Sequence, residues 1–171
     1  MLSISMASKC ACTRPHFNYN NKRAKELLHL FREYAPDICF HLEIHPALLS
    51  EELKEELAIL PNGLLHLEAG IQSLREPVLE KSRRIGKLSD ALQGLKYLCS
   101  LKNMETHADL IAGLPLYHLS EIFEDVRTLA EYGAGEIQLE SLKLLPGTEM
   151  RRRAEELGIQ YSPLPPTKFA D

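Results

Sequence analysis

Polar side chains recur at every second position inside four otherwise apolar runs. These are His41-Leu42-Glu43-Ile44-His45, His66-Leu67-Glu68-Ala69-Gly70-Ile71-Gln72, His107-Ala108-Asp109-Leu110-Ile111-Ala112-Gly113 and Glu136-Ile137-Gln138-Leu139-Glu140. A strand alternates its faces with period two, so each run predicts a strand with one row of His, Glu, Asp or Gln and an opposite row of Leu, Ile or Ala. A packed barrel interior, or a sheet covered by helices on both sides, would carry apolar side chains in both rows. The polar row therefore predicts a wet or ligand-filled hollow, because buried charge must be paired or neutralised.

Helical periodicity fills the intervals. Asn20 or Asn21 caps a helix whose apolar face is Ala24, Leu27, Leu28 and Phe31, stopped by Pro36. After a strand near 38–45, Ser50 caps a helix carrying Leu53, Leu57 and Leu60, ended by Pro61-Asn62-Gly63. A second strand spans about 64–71. A helical region over 76–102 is split near Gly86, with Ser89 capping its second part. The third strand lies near 106–113. Ser120 caps a helix bearing Ile122, Phe123, Val126 and Leu129, closed by Gly133. The fourth strand lies near 136–143, Thr148 caps a last helix ending at Gly158, and Ser162-Pro163-Leu164-Pro165-Pro166 reads as an extended tail. An earlier strand near 13–17 completes the series. Alternating strands and helices imply a parallel sheet with right-handed crossovers. The strands are too few to close an eight-stranded barrel, which leaves an α/β fold that is either a partial, incomplete TIM-type barrel of parallel βα units or an open sheet. In both, ligands lie at the carboxyl ends of the strands. Residues 1–19 form a poorly matched N-terminal segment, 20–160 the βα unit and 161–171 the tail.

Composition narrows the classes of function. The chain has 171 residues, enough for one domain with a real core. A net charge of −4, with acids and bases interspersed, argues against a nucleic-acid partner, which would require a basic face. No apolar run reaches the length of a membrane span. Met1–Lys9 lacks the sustained apolar stretch of a signal peptide, so a cytoplasmic location is expected. The four cysteines, Cys10, Cys12, Cys39 and Cys99, form no CxxC pair and no zinc-like array. Cys39 and Cys99 read as small core residues, and Cys10 and Cys12 as a reduced, unpaired couple.

Four motifs add a resemblance. Asp109-Leu110-Ile111-Ala112-Gly113-Leu114-Pro115 resembles the fifth-strand motif of the radical S-adenosylmethionine superfamily, in its coproporphyrinogen-oxidase-like branch. Gly70-Ile71-Gln72-Ser73 is similar to that branch's fourth-strand motif, Glu43-Ile44-His45-Pro46 to its third, and Leu144-Leu145-Pro146-Gly147-Thr148 to the turn after its sixth strand. Asn18-Tyr19-Asn20 resembles the second strand and helix of the members that carry a cobalamin-binding domain. The order of the motifs over residues 38–150 makes them far more specific together than singly.

The resemblance implies a set of S-adenosylmethionine contacts. Glu43 matches the carboxylate that holds the methionine amino group. Gln72, with Ser73 beside it, and Asp109 match polar groups around the ribose. Arg84, twelve residues after Gln72, matches an arginine for the methionine carboxylate, and the backbone around Gly113 and Leu145 matches the adenine-binding strand edges. A zwitterion does need an acid and a base set apart. The family also needs a CxxxCxxC loop whose three thiolates hold a [4Fe–4S] cluster. Cys10-Ala11-Cys12 has the wrong spacing, the expected first strand and cluster loop have no counterpart, and Leu116-Tyr117 replaces a glycine-bearing loop. The expectation is a fragment of a radical enzyme core, truncated at its N-terminus and inactive alone, with an unknown small-molecule substrate.

Other readings stay open on the same residues. Glu43 equally fits a salt bridge to His66 or Arg84, and Arg84 a solvated arginine. Glu68, His41, His66 and His107 fit a structural interior network. Lys143 fits pairing with Glu140 or Glu149, and Arg151-Arg152-Arg153 a salt-bridged surface. A metal-dependent barrel hydrolase would draw ligands from His41, His45, His66, Glu68 and Asp109. A non-catalytic remnant would associate through the sheet edge exposed at its first strand.

Overall fold

Every predicted strand but the earliest forms where the alternating pattern places it. The computed structural model describes residues 9–11, 16–35, 37–84 and 86–161. Its strands are β1 (Lys9–Ala11), β2 (Cys39–Ile44), β3 (Leu65–Gln72), β4 (Glu105–Ala112) and β5 (Glu136–Ser141). All neighbours pair in parallel, in the order β1-β2-β3-β4-β5. Helices α1 (Asn21–Tyr34) and α2 (Glu51–Ala58) follow β1 and β2; α3 (Glu76–Lys81) and α4 (Leu88–Ser100) follow β3; α5 (Leu119–Glu131) follows β4; and α6 (Glu149–Arg152) follows β5.

A strand order that never reverses puts every right-handed crossover helix on the same face of the sheet. The order therefore decides between the two architectures left open by the sequence. An open doubly wound sheet reverses at a switch point, whereas a sector of a barrel does not. This is a partial barrel. Its helix-covered face is the apolar row: Phe40, Leu42 and Ile44 of β2, Leu65, Leu67, Ala69 and Ile71 of β3, and Ala108 and Leu110 of β4 are buried. Leu28, Leu53, Leu57, Leu95, Leu98 and Leu129 pack down onto them from the helices, each fully buried. Each such leucine contributes about 1.5–3 kcal/mol relative to exposure.

The caps at Asn20, Ser50 and Thr148 accept the backbone N–H of Arg23, Leu53 and Arg151, as expected. Two others differ. α4 begins directly after Lys87, so Ser89 falls inside its first turn and its hydroxyl meets Asp90. α5 begins after His118, whose N–H is taken by the Glu121 carboxylate, so Ser120 is likewise inside the helix. Phe123 points outward, 58% exposed, because Ile122, Asp125 and Leu129 occupy the buried stripe. The last helix is regular only to Arg152 and continues as turns to Gly158. The earliest strand lies at 9–11 rather than 13–17. Phe17–Tyr19 form a single 3-10 turn, and residues 12–15, with Pro36 and the Pro-rich tail, fall outside the described residues. Among the described residues no helix is long and apolar enough to cross a membrane.

Candidate functional site on the concave face

The parallel register aligns the polar rows side by side on the face opposite the helices. His41 stands beside His66, and His66 beside Glu105; Glu43 beside Glu68, and Glu68 beside His107; Gly70 beside Asp109, and Asp109 beside Gln138. Alternation along each strand and pairing across strands thus put Glu, His and Asp into one continuous surface.

Toward the carboxyl ends of β2 and β3 this surface carries fixed charge. The Glu43 carboxylate lies 3.2 Å from Nδ1 of His16, and Arg84 donates from Nη2 to the Gly70 carbonyl at 2.7 Å. Nη1 of Arg84 lies 3.5 Å from Nε2 of His16. Gly70 makes this assembly feasible: a Cβ there would meet Arg84 Nη2 at 3.3 Å and Glu43 Oε1 at 3.8 Å. Burial pulls the Arg84 pKa below the ordinary guanidinium value, and the Glu43 charge works against that pull. Burial likewise lowers the His16 pKa; Glu43 opposes the shift and Arg84 adds to it. The chain entering this corner is locked by Asn18, wholly buried, whose amide donates to His45 O at 2.9 Å and accepts from His45 N at 2.8 Å. His45 is therefore held beyond the strand end, edge-on to His16 with ring centroids 5.0 Å apart, and is not part of the row.

Further down the face runs a ladder of imidazoles. The rings of His41 and His66 stack at 4.5 Å between centroids, and Nε2 of His66 meets Nδ1 of His107 at 2.7 Å. Nδ1 of His66 lies 3.5 Å from the Glu105 carboxylate. At the other end Nε2 of His107 faces Asp109 at 3.4 Å and Glu68 at 3.9 Å. Burial, hydrogen bonding with Glu68 and repulsion from Glu68, Glu43 and Glu140 push the Asp109 carboxyl up to about 8.

The remaining predicted site residues are placed unevenly. Gln72 ends β3 just past a bulge, at φ 70, a left-handed conformation uncommon for a residue with a side chain. Ser73 does not face the groove. It is fully buried, its hydroxyl accepting from Arg75 N at 3.1 Å and meeting Asp125 at 3.5 Å. Gly113 opens the loop after β4 at φ 87 against Leu142, and Leu145 lies exposed in the loop after β5. Lys143 pairs with Glu140 as expected, and Arg153 bridges Glu149 and Glu156. Of the hydrolase ligand set, only Glu68 and Asp109 converge; their partner is His107, not His41, His45 or His66. The alternation His107-Ala108-Asp109 carried that signal. His16 and Asn18 lie in irregular chain, and no periodicity pointed to them.

A cleft of about 310 Å³ opens at the opposite edge, at the amino ends of β3–β5, between Cys99, Met104, Glu105, His107 and Glu136. It shares His66 and His107 with the ladder but includes neither Glu43 nor Arg84.

No protein-family model matches the sequence, and no curated protein matches it. Solved structures do. The radical S-adenosylmethionine methyltransferase TsrM from Kitasatospora setae, with cobalamin and a [4Fe-4S] cluster bound, matches with a TM-score of 0.69 at 19% identity, over 91% of this chain and 30% of that one. The same enzyme with tryptophan substrate and a S-adenosylmethionine analogue bound gives 0.68 at 19%, over 85% and 29%. Coproporphyrinogen III oxidase (HemN) from Escherichia coli, a radical S-adenosylmethionine enzyme, gives 0.60 at 21%, over 74% and 30%. The chain spans less than a third of the length of each. At these identities the likeness carries the fold, and this chain has the parallel βα fold of the radical S-adenosylmethionine enzyme core.

Proposed function

We propose that the carboxyl-end corner of the concave face binds S-adenosylmethionine, as the cofactor corner of a radical-enzyme core. The observation that carries the reading is that Glu43 and Arg84 both border the space above Gly70, each in contact with His16. An acid and a base stand side by side where the side-chain-free residue leaves room. Glu43 would receive the ligand's ammonium group and Arg84 its carboxylate, as charge-assisted bonds. Asp109 and Gln72 would face the ribose, and the chain near Gly113 and Leu145 the adenine. When bound, this cofactor supplies an activated sulfonium carbon. The protein's part is to hold the zwitterion and to keep Arg84 oriented through the Gly70 carbonyl.

An iron–sulfur cluster does not fit the residues present. The four cysteines include no CxxxCxxC spacing. Cys39 opens β2 and Cys99 lines the cleft at the amino ends of the strands, the edge opposite Glu43 and Arg84. No step through a cluster is derived.

The test is titration calorimetry with S-adenosylmethionine on protein whose circular dichroism shows a folded chain. Binding that weakens on the order of tenfold or more in Glu43→Gln and in Arg84→Ala supports the reading, each variant removing one charge-assisted contact of about 1.5–3 kcal/mol. An absence of heat at millimolar ligand removes it.

A further inference from the structure

We propose that Glu68, His107 and Asp109 form a binding site for a divalent first-row transition cation, with His66 orienting the imidazole ligand. One donor atom from each of the three residues lies within 4.8 Å of the other two. His107 Nε2 lies 3.4 Å from Asp109 and 3.9 Å from Glu68. Ligand atoms that share one ion at about 2.0–2.2 Å stand about 3 Å apart or slightly more, so the two pairs at His107 need to close by less than about 1 Å and no pair by more than about 1.8 Å.

The cluster is more than a group of acids. His107 is 9% exposed, and its Nε2 and the Oδ1 of Asp109 are both buried with no hydrogen-bond partner, although they face each other. Such orphaned groups are costly to bury unless something satisfies them. The ladder behind His107 indicates what that something is. Glu105 faces Nδ1 of His66 at 3.5 Å, which favours a proton on that nitrogen. Nε2 of His66 is then an acceptor, and the 2.7 Å contact puts the proton of His107 on Nδ1. That tautomer turns a bare lone pair at His107 Nε2 toward two carboxylates. Lone pair against lone pair is repulsive when nothing lies between them and attractive around a cation. The sequence carboxylate, imidazole, imidazole, metal also fixes ring orientation and raises ligand basicity, the role such relays play behind metal-bound histidines.

The donor set selects the cation. One imidazole and two carboxylates suit Zn²⁺, Mn²⁺ or Fe²⁺. Mg²⁺ and Ca²⁺ prefer oxygen alone, and soft ions prefer thiolate. Three protein ligands leave coordination positions open, and half-exposed Glu68 is the side from which an ion or a water would enter. Asp109 is shared with the ribose contacts proposed above, but Glu68, His107 and His66 have no part in that corner and Glu43 and Arg84 none in this one, so variants at those positions make the two fail separately.

The experiment is titration of EDTA-treated, folded chain with ZnCl₂ by calorimetry and with CoCl₂ by visible absorption. The expected result is one equivalent of Zn²⁺, not displaced by excess Mg²⁺. The Co²⁺ spectrum should show d–d bands and no thiolate charge-transfer band. Glu68→Gln, at a half-exposed position that leaves the fold intact, should weaken binding on the order of a hundredfold, and His66→Ala roughly ten- to hundredfold. His29→Ala, which removes a surface imidazole paired with Glu33, should leave affinity unchanged. No Zn²⁺ heat at millimolar metal, equal affinity in Glu68→Gln, or a cobalt–thiolate band from the cysteines would each overturn the proposal.

Discussion

Replacing Gly94 by alanine separates helix propensity from tertiary packing with opposite signs. In an exposed helix interior this change stabilises by about 0.5–1 kcal/mol, because glycine loses more backbone freedom than alanine. Gly94 is buried in α4, where the helix crosses a second one-turn 3-10 segment, Pro46–Leu48. A Cβ there would stand 2.0 Å from the Pro46 carbonyl oxygen, 2.7 Å from its carbon and 3.2 Å from Leu49 Cδ1. The nearest obstacles are backbone atoms, which cannot rotate aside, so helix and turn must part by more than about 1 Å. Overpacking of this kind costs about 1–3 kcal/mol and sometimes more. Packing wins, and Gly94→Ala should be less stable by roughly 2 kcal/mol, lowering Tm by about 4–8 °C in a chain of this size. The turn follows His45, whose backbone Asn18 grips on both sides, so the displacement also reaches Glu43 one residue before the end of β2. Urea unfolding followed by circular dichroism, with a thermal melt in parallel, measures the effect. A variant as stable as the parent, or more so, would refute the argument that the close approach governs this position.

Asp125 gathers the loop after β3. It is 1% exposed and accepts from Leu74 N at 2.8 Å, Arg75 Nε at 2.9 Å and the Tyr117 hydroxyl at 2.6 Å. Asp125→Ala should lose about 3–5 kcal/mol in denaturant unfolding, since it strands several donors at once. Arg75→Ala should lose less, since Leu74 N–H and the Tyr117 hydroxyl still hold Asp125. The metal-free chain should also show a pH dependence of stability traceable to Asp109. Its folded carboxyl sits at about 8 against an ordinary 3.8. The folded state therefore binds more protons between those values, and stability must fall as pH rises through that window, then level off. The fall should amount to about 2 kcal/mol, since water at half-exposed Glu68 screens the repulsion. Asp109→Asn should flatten it, and unfolding in EDTA at a series of pH values is the check.

The strands were legible because both of their faces obey period two. Leu42, Leu67, Ala108 and Leu110 must meet helices, and Glu43, Glu68 and Asp109 must then face the other way. Register followed from the same pattern, because a one-residue slip would bury every charge. What the pattern could not carry is contact made by irregular chain. His16 and Asn18 act through a single turn with no periodicity, and Arg84 reaches the Gly70 carbonyl across space that a side chain at position 70 would crowd. Ser73 was misplaced for a related reason. The bulge at Gly70 and the positive φ of Gln72 re-aim the chain, so the residue after the strand turns under α5 rather than into the hollow. Ser120 and Ser89 show the limit of cap rules. The backbone enters α5 and α4 two residues early, and at α5 Glu121 satisfies the free N–H instead.

A half-barrel that exposes a polar face must offset desolvation locally, and the two ends of this face do so differently. Near the amino ends of the strands His41 stacks on His66 and His66 hydrogen-bonds His107, so the imidazoles compensate one another and need little from solvent. Near the carboxyl ends the opposite charges of Glu43 and Arg84 compensate each other across His16, which leaves a field that a zwitterion can complete. The compensation fails to close between them, where Asp109, Glu68 and the lone pair of His107 confront one another. A proton held on Asp109 relieves that confrontation in part, and a dication relieves it in full. The same residue thus links the protonation state of the empty fold to whatever cation or ribose the face accepts. Stability at high pH and ligand affinity at this position should consequently rise and fall in opposite senses.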